Sequence, residues 1–107
     1  MPASGSWDDV PALAPDQAWQ TLLEGKSVLQ LADGLQLRRV RVMNDHRVEL
    51  TGFTPSMRDR LTAMGLTHEI ISWKLRMFVP VTSGGPAVIA RLIERHPVTA
   101  IADRAAA

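Results

Sequence analysis

Two tight-turn signals set one strand-length apart constrain this chain more than any other feature. Asp33-Gly34 is a strong two-residue hairpin signal, and Asn44-Asp45-His46 marks a second turn. Around them, residues 27–32, 35–43 and 47–53 carry strand-forming patterns. Three consecutive strands joined by short links form an antiparallel meander. The middle strand has a fault in its phase. Leu35 and Leu37 share one face, whereas Val40 and Val42 fall on the other. Because side chains alternate with a period of two, the slip predicts a bulge near Arg38-Arg39, a sheet edge or a bend.

Helical signals flank the meander. Pro15 suits a first turn, Ala18, Trp19, Leu22 and Leu23 recur at helical spacing, and Gly25 suits a left-handed cap. Thr54-Pro55 predicts a second helix start, with Met57, Leu61 and Met64 as its stripe and Gly65 as its stop. Residues 69–79 read as one long strand, with Ile71, Trp73, Leu75, Met77 and Val79 facing the core and Ser72, Lys74 and Arg76 facing away. A last helix carries Val88, Ile89, Leu92 and Ile93 and stops at His96-Pro97, after which residues 98–101 can add a short strand. The expected fold is α+β: an antiparallel meander plus a further long strand, packed with two to three short helices. Residues 1–12 read as a loose arm, 13–102 as a single domain and 103–107 as a fraying tail.

At 107 residues the chain has the size of one ordinary domain. It has no cysteine, which excludes disulfides and thiolate zinc sites. Its first residues lack the basic start and apolar run of a secretory signal, and no apolar stretch approaches a membrane span. The expectation is a cytoplasmic protein with no membrane contact. The net charge of +1 hides an asymmetry. Residues 1–33 hold Lys26 against Asp8, Asp9, Asp16, Glu24 and Asp33, while the remainder carries eleven basic and six acidic residues. Ten of the twelve basic residues are arginine, the better fork for phosphate or carboxylate.

The candidate contact residues follow from that bias. Lys74 and Arg76 share a strand face, and Arg38, Arg39, Arg41 and Arg47 lie on the meander. If these strands are neighbours, they form a basic patch able to meet phosphates. The competing reading is a solvated face answered by Glu49, Glu69 and Asp45. Trp7, in the polar arm, is a candidate for packing onto its own domain or onto a partner. The run Thr82-Ser83-Gly84-Gly85-Pro86 can present N–H groups to an anion, but it lacks the spacing and lysine of a P-loop. His46, His68 and His96 occupy separate loops or element ends, where solvation or capping is the usual role, and His68-Glu69 is not a zinc motif because Ser72 stands at its fifth position. Neither a nucleophile elbow nor a readable carboxylate pair is present. No catalytic residue, metal or cofactor is expected.

The stretch Glu69-Ile70-Ile71-Ser72-Trp73-Lys74-Leu75-Arg76-Met77-Phe78-Val79-Pro80-Val81, with Ile93-Glu94-Arg95-His96-Pro97-Val98 after it, resembles a C-terminal segment of plasmid- and phage-borne strawberry-notch-type proteins. Those are large helicase and methyltransferase fusions. The resemblance spans residues 45–98 and rests on strand-like residues rather than on a catalytic motif. It implies a setting in mobile-element nucleic-acid metabolism and a free-standing accessory domain. ATPase and methyltransferase activities do not carry over, since the chain has no Walker-type loop with lysine and no Gly-x-Gly after a strand.

The function expected from the sequence is a small non-enzymatic module that docks onto a protein or a protein–nucleic-acid machine. An inhibitor of host defence, of the anti-CRISPR or anti-restriction type, is one form such a module takes. The alternative is a direct nucleic-acid binder using Arg39, Arg41, Arg47, Lys74 and Arg76. A third class is a small-molecule enzyme or binding fold. Partner identity and oligomeric state are not written in the sequence.

Overall fold

The computed structural model describes residues 14–80 and 84–103. Trp7 and the arm, the segment at 81–83 and the tail beyond Asp103 lie outside the described residues. The elements run α1 (Pro15–Glu24), β1 (Ser27–Leu31), a 3-10 turn (Ala32–Gly34), β2 (Gln36–Val42), β3 (Asp45–Thr51), a second 3-10 turn (Pro55–Met57), α2 (Arg58–Ala63), β4 (Thr67–Ile71), β5 (Lys74–Val79), α3 (Gly85–Arg95) and β6 (Val98–Asp103). The six strands form one sheet in the order β4-β5-β3-β2-β1-β6, with every pairing antiparallel. The fold is therefore α+β, as the turn signals and helical stripes require.

The register explains the core. Leu29 pairs with Leu37, Leu37 with Leu50, and Leu50 with Met77. All four are fully buried, so one row of side chains crosses the four inner strands on the face that meets the helices. Onto that row pack Ala18, Trp19 and Leu22 of α1, Leu61 of α2, and Val88, Ile89 and Leu92 of α3. Gly25 ends α1 with φ 74°, its N–H donating to the Leu22 carbonyl at 3.0 Å.

Two glycines are fixed by close approach. Gly52 adopts φ 86°, and a Cβ there would stand 2.1 Å from the Gly34 carbonyl oxygen, which only glycine allows. At Gly85 a Cβ would stand 2.5 Å from the Trp19 ring, so the first turn of α3 sits directly on that indole.

Four expectations are corrected. The long strand over 69–79 is a hairpin: β4 and β5 pair antiparallel through Ile71↔Lys74, and Ser72 and Trp73 form its turn at φ 52° and 68°. Positive φ at both central residues matches the twist of flanking strands, as in type I′ turns. Trp73 is consequently 98% exposed instead of buried. The second meander turn is Met43-Asn44, with Asp45 and His46 already in β3. Gln36–Val42 pairs with β3 without a register break, so there is no bulge at Arg38-Arg39. The phase slip instead reflects a strand whose two apolar pairs lie on opposite faces, Leu37 towards the helices and Val40 and Val42 away from them. Finally, the turn at Pro55–Met57 is 3-10, and the α-helix begins only at Arg58.

Candidate functional site

The sheet face turned away from the helices carries Arg38, Arg47, Lys74 and Arg76 together. The pairing places them there: Arg38↔Glu49↔Phe78↔Thr67 forms one cross-sheet row, and Glu69↔Arg76 lies beside it. Arg39 and Arg41 alternate to the opposite face. Arg39 donates from Nη1 to the Leu23 carbonyl at 2.7 Å, capping the C-terminal end of α1, where a cation suits the helix dipole. Arg41 is exposed beyond that end, opposite His46. The expected basic patch is thus split between two faces.

On the outer face two arginines are engaged. Arg76 makes a bidentate pair with Glu49, Nε to Oε2 and Nη2 to Oε1, both at 2.8 Å. Arg47 pairs with Glu69. Their guanidinium carbons lie 4.9 Å (Arg47) and 5.4 Å (Arg76) from the Phe78 ring centroid. Phe78 is 2% exposed although it points away from the helices, because these two side chains cover it. The hydrogen bonds to Glu49 raise the Arg76 pKa further, against a smaller opposing effect of burial. This cluster is a structural lid on an aromatic ring, and its charges cancel.

Arg38 and Lys74 make no ion pair or hydrogen bond among the described residues. They line a shallow cleft with Glu49, Thr51, Ile71 and Arg76, next to the Ser72-Trp73 turn. Trp73 stands at the tip, whereas Ile70, 73% exposed on edge strand β4, pairs with Leu75 and so lies on the other face. A large apolar group beside unpaired cations is the composition of a docking patch. Sequence reading missed Trp73 because its alternation with Leu75 and Met77 is that of a core residue, and the Ser-Trp turn carries no glycine or asparagine.

Among the described residues no group of three or more potential ligands is placed to hold a metal ion. No helix among them is long and apolar enough to cross a membrane. His96, expected to be solvated or to serve as a cap, is 4% exposed and bonds Asp33. No protein-family model, curated protein or solved structure matches this chain.

Proposed function

We propose that the chain is a non-enzymatic interaction module that docks onto a protein through the β4–β5 hairpin. The observation that carries this reading is Trp73: a nearly fully exposed indole at a backbone angle that non-glycine residues rarely adopt. Nothing in the packing of the sheet requires a tryptophan there, whereas exposed tryptophans are the commonest anchors of protein interfaces. Lys74 and Arg38 beside it favour a partner with an apolar pocket rimmed by carboxylates. A mobile-element setting, and with it inhibition of a host-defence protein, draws its support from the sequence resemblance alone. Protein is preferred over nucleic acid as the partner of this face, because Glu49 and Glu69 already answer Arg76 and Arg47.

The test places a photo-crosslinking amino acid at position 73 and, as a control, at position 20 on α1. A specific protein adduct is expected from position 73 only. Trp73→Ala should retain the circular dichroism spectrum and melting temperature yet lose the partner, and Lys74→Glu should slow association in a salt-dependent way. Equal capture by Trp73→Ala would remove the hairpin tip from the interface.

A further inference from the structure

The helical side of the molecule carries arginines in different surroundings. Arg60 of α2 and Arg95 of α3 line two adjoining clefts. One, of about 270 Å³, is shared with Arg91 and Glu94; the other, of about 560 Å³, is shared with Asp33 and His96. Arg91 and Arg95 stand four positions apart on α3 and so share a helix face. Arg91 is fixed there, its Nη1 donating to the Met64 carbonyl at 3.0 Å. Arg60 and Arg95 make no hydrogen bond or ion pair among the described residues.

His96 adds an independent observation. Its Nδ1 lies 2.6 Å from Asp33 Oδ2, so this nitrogen donates to the carboxylate. Its Nε2 is buried with no partner among the described residues. A buried polar atom left unsatisfied is costly and asks for a reason. Here the imidazole belongs to the wall of a cleft that also holds two unanswered guanidiniums.

We propose that this cleft binds a small phosphate-bearing ligand, with the phosphate held by Arg60 and Arg95 and a ligand hydroxyl donating to His96 Nε2. Guanidinium forks match phosphate oxygens two at a time. Two arginines line this cleft against Asp33 alone, whose carboxylate already accepts a hydrogen bond from His96. A concave site of this size fits a single small ligand better than a duplex. The site lies apart from the hairpin and does not depend on the docking reading.

The experiment titrates isotope-labelled full-length chain with inorganic phosphate and with a nucleoside monophosphate at low ionic strength. Saturable shifts are expected in the His96 ring nitrogens, with those of His46 and His68 unmoved. Arg60→Gln combined with Arg95→Gln should weaken binding by roughly tenfold or more, whereas Arg38→Gln with Lys74→Gln should leave it unchanged. Circular dichroism checks that each variant is folded. Absence of saturable shifts with either probe, or equal affinity in the Arg60/Arg95 variant, would overturn the proposal. So would affinity for a single-stranded oligonucleotide that rises with its length, which would mark a strand-tracking surface.

Discussion

The outer sheet face and the α2–α3 side use the same residue to opposite ends. On the sheet, Arg47 and Arg76 meet carboxylates and close over Phe78. Between the helices, Arg60 and Arg95 face open clefts and meet none. Geometry makes the difference. Antiparallel register sets Glu69 directly opposite Arg76, and Glu49 on the adjoining strand within reach of it. Glu94 precedes Arg95 immediately along α3, and neighbours in a helix point apart. An arginine's role is decided by what the fold places in front of it.

The largest effect expected from this contrast is at Glu49, which is 7% exposed. Glu49→Ala should cost about 2 kcal/mol in urea unfolding, because it strands the Arg76 guanidinium. A guanidinium stays protonated in proteins, so Arg76 cannot escape by losing its proton. A cost below about 0.5 kcal/mol would return the pair to the class of solvated surface contacts. The Arg47–Glu69 pair is more open, with side chains 27% and 45% exposed. A double-mutant cycle should give a coupling of about 0.5–1 kcal/mol that shrinks with added salt. The smallest effect belongs to the other side: Arg60→Gln and Arg95→Gln should each change stability by less than about 0.5 kcal/mol. A loss comparable to that of Glu49→Ala would show that these arginines tie α2 to α3, and the comparison would break.

The parts of the fold legible in the sequence were those where one period ran uninterrupted between glycine or proline stops. Helix α1, ending at Gly25, and the existence of the β1–β2 link are of this kind, although that link is a three-residue 3-10 turn over Ala32–Gly34 and not the expected two-residue turn at Asp33-Gly34. The β4–β5 hairpin was not legible, for a specific reason. Its turn, Ser72-Trp73, contains neither of the residues that usually supply positive φ. Apolar alternation from Ile71 to Val79 therefore reads straight through it, although Ile71 faces outward and Leu75 inward. The arginines of the sheet were visible as a group, and alternation along β2 already sets Arg39 and Arg41 apart from Arg38, but only pairing brings Arg47, Lys74 and Arg76 to the face of Arg38. Arg60 and Arg95 escaped because nothing in the spacing of residues 60 and 95 says that the fold will bring them to the same clefts. His96 escaped likewise, since its partner Asp33 stands 63 positions earlier.

Strand β1 lies in the interior of the sheet only because β6 covers its far edge. That closure joins distant parts of the chain: Thr99 Oγ1 donates to the Gln30 carbonyl at 3.2 Å across 69 positions. Pairing over such a separation forms slowly, since a long loop must close before any contact rewards it. While the chain is being synthesised, the outer edge of β1 therefore stays open until residues 98–103 have left the ribosome. An open edge is a template for any other strand. A chain halted before Val98 would expose Val28 and Gln30 along that edge and carry the tendency to aggregate that the finished protein hides.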